Sequence, residues 1–87
     1  MTTTVGDIKE LTKRLGLNLT LSGEKKGTGW AAYLSSGSRG PSWDGSGRSP
    51  AEAIGGAFRG WARWRGKDWI NGNLPRRDLE TLRSITD

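Results

Sequence analysis

The 87-residue chain contains 14 Lys and Arg against 9 Asp and Glu, so its net charge is +5, and 32% of its residues are hydrophobic. This length and composition fit one small domain whose core must be thin and rich in Trp, of which the chain has five. Because the chain contains no Cys and no His, disulfides, thiolate chemistry, Cys/His metal sites and a histidine general base are excluded.

The first part of the chain predicts one short helix and two strands. Apolar residues that share one helical face predict a helix over about residues 4–15. Leu17 and Leu19 begin an alternation of leucine with polar residues, which predicts a half-buried strand over about residues 17–22. A second strand is expected over about residues 29–35, where apolar side chains fall on both faces.

A third strand and a long helix follow. The short segment over about residues 41–45 carries Trp43 and is expected to form the strand. Ser49 is a suitable N-cap, and Glu52 three residues later completes a capping box. This local signal predicts a helix over about residues 50–65.

The remaining chain predicts a loop and one more helix. Trp69 and Ile70 are expected to form an apolar pair in a loop. Apolar residues at three-residue spacing predict a C-terminal helix over about residues 75–85. The predicted fold class is therefore α+β in one domain: a short N-terminal helix, a three-stranded antiparallel sheet packed by one long helix, and a short C-terminal helix.

The end of the long helix combines indoles with guanidinium groups. At 100° per residue, Trp61 shares the apolar face, while Arg59 and Arg63 lie on the opposite face. Trp64 falls at the edge between the two faces. We expect Trp61 to belong to the core and the two arginines to be exposed, with Trp64 at the boundary.

The positive charge is concentrated in the same part of the chain. Residues 39–77 hold eight basic and three acidic side chains, a net charge of +5. Such a field favours nucleic acid or an acidic protein surface as a partner. The alternative is a solvated basic face that only aids solubility.

These observations predict a partner-binding surface built from Trp and Arg. Both residue types are enriched at binding hot spots, and indoles beside arginines can also stack on bases. The predicted contacts are Arg59, Arg63, Trp64, Arg65, Lys67 and Trp69, with flanking basic residues at Arg48, Arg76, Arg77, Lys25 and Lys26.

Other chemistry finds little support in the sequence. The glycine-rich junction at residues 45–49 opens a helix and could hold a phosphate, but the simpler interpretation is a turn that feeds a well-capped helix. Pro50 stands at the third glycine position of a dinucleotide fingerprint. The acidic residues form no convincing pair within one element, so we expect no enzyme activity, no cofactor and no metal.

The junction also resembles that of the double-stranded-RNA-binding domain. That family has the order α-β-β-β-α, and a Gly-x-Gly-x-Ser segment precedes its second helix, as residues 45–49 do here. The resemblance implies binding of double-stranded RNA, with Arg48 as the matching phosphate contact.

By its size, element order and composition, the whole chain resembles the small proteins of phages and mobile elements, anti-CRISPR proteins among them. This resemblance implies a non-catalytic inhibitor that docks on a host nucleic-acid-processing complex in the host cytoplasm, with no membrane contact. Direct binding of RNA or DNA is the alternative hypothesis, and an oligomerising structural subunit is a third.

Overall fold

The computed structural model describes residues 5–23, 29–37 and 40–86, which have the predicted α+β architecture. The three strands form one antiparallel sheet in the order β1-β2-β3. No helix in these ranges is both long and apolar enough to cross a membrane. The elements in chain order are α1 (Val5–Leu15), β1 (Asn18–Gly23), β2 (Trp30–Ser35), β3 (Ser42–Gly47), α2 (Pro50–Arg65), α3 (Lys67–Asn73) and α4 (Arg76–Thr86).

Helix α2 begins at the predicted cap and covers one face of the sheet. The Ser49 hydroxyl accepts a hydrogen bond from the Glu52 backbone N–H at 3.2 Å, and Pro50 occupies the first helical position. The capping interaction supplies a partner for a backbone group that the first turn would otherwise leave unpaired. The prediction that Trp61 belongs to the buried face of α2 is confirmed. That face consists of Ala53, Ile54, Gly55, Ala57, Phe58 and Trp61.

The strand register separates a core face from an outer face. Leu34 of β2 pairs with Leu19 of β1 and with Trp43 of β3, and this row faces α2. The neighbouring residue Tyr33 lies on the opposite face and is exposed. The predicted leucine face of β1 is incomplete, because Leu21 near the strand end is 40% exposed.

Glycines allow α2 to lie unusually close to its neighbours. A Cβ added to Gly45 of β3 would collide with the backbone of Ala53, and one added to Gly56 would lie 3.2 Å from the Gly45 Cα. On the other side of the helix, a Cβ on Gly55 would collide with the backbone carbonyl of Ile85 in α4. The missing side chains therefore let one helix pack at backbone distance against both β3 and α4.

Two predictions about local structure need correction. Trp69 and Ile70 lie in helix α3, not in a loop. Gly66 has a φ of 95°, which ends α2, but the chain resumes helical geometry at once and buries Ile70. Strand β3 also continues to Gly47 instead of ending near residue 45, because its glycines serve the contact with α2.

Candidate binding surface

Helix geometry divides the predicted Trp/Arg surface between two sides of α2. Trp61 is 3% exposed and belongs to the core, as expected, whereas Trp64 is 54% exposed. Arg59 and Arg63 are also exposed. Trp64 and Arg65 face a cleft beside β3, and Arg63 faces a groove beside α4.

We call the first of these concavities the Trp cleft. It has a volume of about 590 Å³ and is open to solvent, and four of the five indoles of the chain line it. Its walls come from α1, β3, α2, α3 and α4 and from connecting segments. The lining residues are Arg14, Leu15, Leu17, Ser36, Trp43, Trp61, Trp64, Arg65, Trp69, Asn73, Leu74, Pro75 and Asp78.

Ring contacts hold the indoles of the Trp cleft in place. The Trp43 and Trp64 ring centroids are 5.2 Å apart with the planes tilted by 54°, so Trp43 supports the exposed Trp64 from β3. Trp61 meets Trp69 edge to face at a centroid distance of 6.3 Å. Gly60 makes room for this arrangement, because a Cβ there would lie 3.2 Å from Trp43 Cδ1. Such pairs restrict the rings to a narrow range of positions.

Arg65 places a positive charge on the aromatic wall. Its guanidinium carbon lies 3.8 Å from the Trp69 ring centroid and 5.5 Å from that of Trp64. The ring quadrupole attracts the cation and orients it. No carboxylate within the described residues forms an ion pair with Arg65, so its N–H donors remain available to a partner.

A second arginine in the Trp cleft is held by a buried carboxylate. Arg14 donates from both Nε and Nη2 to Asp78, whose side chain is 1% exposed. The hydrogen bond to Asp78 raises the pKa of Arg14 above its ordinary value, against a smaller lowering by desolvation. Arg14 therefore stays charged, and its geometry is fixed by a carboxylate that belongs to α4.

Two further predicted contacts lie on the side of α2 opposite the Trp cleft. Arg63 and Lys67 line what we call the basic groove, a concavity of about 370 Å³ between α2, α3 and α4. Arg59 lies next to it, where Nη1 donates to the backbone carbonyl of Thr86 at 2.9 Å. The predicted surface therefore consists of two neighbouring sites. The Arg59 guanidinium already donates a hydrogen bond to the end of α4.

The flanking basic residues that the structure describes line neither site. The Arg76 side chain lies 3.5 Å from Glu80, and Arg77 lies 3.7 Å from Glu10, both on exposed surface. Such exposed pairs are weak and do not prevent a partner from binding. Lys25 and Lys26 fall outside the described residues.

The start of α2 does not present an empty anion site. The Glu52 carboxylate accepts a hydrogen bond from the Arg48 backbone N–H at 2.8 Å. The Glu52 carboxylate would therefore compete with a phosphate for the backbone N–H of Arg48. Gly45 and Gly47, the glycines of the junction that resembles double-stranded-RNA-binding domains, lie against α2 and have a packing role.

The prediction from the sequence missed several residues of these sites, among them Trp43, Arg14 and Asp78 of the Trp cleft and Arg83 of the basic groove. Trp43 faces the Trp cleft, but the sequence does not show which face of a short strand turns inward. Arg14 and Asp78 are 64 positions apart, and no local pattern links them. Their pairing depends on α1 and α4 lying side by side, which only the tertiary fold determines.

Comparison with known proteins does not extend this description. No protein-family model matches the chain, and neither the curated proteins nor the solved structures gave a match. In the ranges that the structure describes, acidic side chains form no group of three or more that could hold a metal ion. The assignment of a function therefore depends on the geometry of the Trp cleft and the basic groove.

Proposed function

We propose that this chain is a non-catalytic binding protein that uses the Trp cleft to dock on a macromolecular partner. The observation that carries the proposal is the exposure of Trp64 at the mouth of the cleft, where Trp43 supports its ring from behind. A rigid, exposed indole beside an oriented guanidinium is the composition of a binding hot spot. Arg65 would add specificity because its planar guanidinium group can hold a carboxylate or phosphate of the partner in a fixed geometry.

More specifically, we propose that the chain is an inhibitor of the phage or mobile-element type. Its partner would be a host nucleic-acid-processing complex. The small size, the α-β-β-β-α order of the first five elements and the net charge of +5 support it. The positive charge would steer the chain toward acidic or RNA-lined surfaces, and the Trp cleft would then hold it there. Such a complex would be met in the host cytoplasm.

Affinity capture tests the proposal. The immobilised chain is incubated with host-cell extract, the retained protein is identified and purified, and its Kd is measured. Trp64→Ala and Arg65→Ala are each expected to weaken binding by about 30-fold, as hot-spot residues do. Tyr33→Ala is the matched control, because Tyr33 is an exposed aromatic residue on the outer face of the sheet. Equal affinities for Trp64→Ala and Tyr33→Ala would remove the Trp cleft from the interface.

Direct binding of nucleic acid is a second candidate. The observation in its favour is that guanidinium and indole groups share one cleft, an arrangement suited to stacked bases and phosphates. Random-sequence RNA and DNA are titrated at low and at raised salt. Phosphate binding predicts an affinity that falls steeply with salt, whereas the absence of binding at low salt rejects this candidate.

A further inference from the structure

The basic groove brings together cations from three different helices. Arg63 comes from the last turn of α2, Lys67 from the first turn of α3 and Arg83 from the last turn of α4. All three side chains are exposed. Since like charges repel, their convergence on one concavity lowers the stability of the isolated domain slightly. An arrangement with such a cost suits a negatively charged occupant.

No carboxylate neutralises this cluster within the described part of the chain. The residues that line the groove include no Asp and no Glu. The observed ion pairs of α4 and α1 involve Arg14, Arg76 and Arg77, and none of them includes a cation of the groove. Among the described residues, no carboxylate occupies the donors of Arg63, Lys67 and Arg83.

The floor of the basic groove is apolar. Ile70 and Leu82 are buried beneath it, and Ala62 and Leu79 are half-buried and partly accessible to an occupant. A nucleic-acid backbone or a free phosphate would satisfy the cations but would leave this apolar surface without a matching group. An occupant that carries both carboxylates and an apolar side chain would satisfy the rim and the floor together.

We infer that the basic groove binds an acidic, amphipathic segment of a partner protein, with carboxylates on the three cations and an apolar side chain on the floor. The inference rests on the proposed binding function and adds a second contact, on a side of α2 separate from the Trp cleft. Trp64→Ala tests the cleft and charge reversal tests the groove, so the two proposals can fail independently.

Selection from a displayed library of peptides tests the inference. Random peptides of about 15 residues, long enough for about four helical turns, are selected on the full chain. The expected result is enrichment of sequences that combine Asp or Glu with large apolar residues. Selected peptides without acidic enrichment would overturn the inference. Equal binding after the apolar residues of a selected peptide are replaced by Ser would also overturn it.

A matched pair of double variants locates the binding. Arg63→Glu combined with Arg83→Glu should lower the affinity for the selected peptides by at least about tenfold. The control is Lys9→Glu with Lys13→Glu, which has the same net charge but changes residues of α1. It should bind the selected peptides as tightly as the unmodified chain does. Equal binding by both double variants overturns the inference. Random-sequence single-stranded DNA that competes with the peptide, and whose own binding is lost in the groove variant, would assign the groove to nucleic acid instead.

Discussion

Trp61 and Trp64 differ in burial although they are only three residues apart. Three residues rotate the helix by about 300°, so the two indoles start from neighbouring directions on α2. The Trp69 ring covers Trp61 edge-on, while Trp64 rests on Trp43 and keeps its other side open to solvent. Helical periodicity predicted the inward position of Trp61. It could not predict what supports Trp64, because Trp43 comes from a strand whose direction was not known.

Trp61→Ala should therefore destabilise the domain far more than Trp64→Ala. Truncation of a buried Trp removes about 3–5 kcal/mol of stability, which is most of what a domain of this size possesses. The loss at the half-exposed Trp64 should be about 1 kcal/mol. Urea denaturation followed by circular dichroism measures both values. Similar losses for the two variants would show that Trp61 is not the central core residue.

Arg59→Glu combined with Arg63→Glu should leave the domain folded. Both residues are exposed. Among the described residues, the contact at risk is the hydrogen bond from Arg59 to the Thr86 carbonyl, so the stability loss should stay below about 1 kcal/mol. Binding of the captured partner should weaken, because this side of α2 would lose its positive charge. Affinity is measured beside circular dichroism of the same sample. A folded variant with unchanged affinity would place the contact elsewhere.

At the scale of elements, α2 organises the molecule because its glycines admit two neighbours. The helix boundaries and the buried face of α2 could be predicted, since both depend on signals within a few residues, such as the Ser49 cap. Helix α3 could not be predicted, because Gly66 suggests that helical structure ends there. The helix that follows is stabilised by the packing of Ile70 into the core, which is a tertiary contact. The Arg14–Asp78 pair lies beyond any local signal for the same reason.

Gly45→Ala should separate β3 from α2. The added methyl group would collide with the backbone of Ala53, which cannot rotate away, so we expect a loss of about 2 kcal/mol. Gly72→Ala is the matched control, because a Cβ there meets nothing within 4 Å and the residue lies in α3. It should raise stability by up to about 1 kcal/mol. Thermal unfolding of both variants checks the contrast, and opposite signs are the expected outcome.

At the scale of the whole molecule, the large exposed apolar side chains of the described residues do not form one patch. Trp64 borders the Trp cleft, Tyr33 lies on the outer face of the sheet, and Leu21 and Trp30 lie toward the same end of the β1–β2 pair. Isolated apolar residues are ordinary on monomer surfaces, whereas oligomer interfaces need a continuous patch. The net charge of +5 adds repulsion between copies.

The chain should consequently be a monomer in solution. Light scattering coupled to size exclusion is expected to give one species at the chain mass of 9.5 kDa, with no dependence on protein concentration. A stable mass of twice that value would favour the oligomerising-subunit hypothesis, with Trp64 or Tyr33 as the first residues to test by substitution.

The buried Asp78 carboxylate also has a consequence for the order in which the chain folds. Its partner Arg14 lies 64 positions earlier, so the first helix obtains this contact only after the last helix has been synthesised. Closure of so long a segment is slow compared with local helix formation. We therefore expect α1 to pack by its apolar face before this ion pair forms, and the wall of the Trp cleft to be completed when α4 docks.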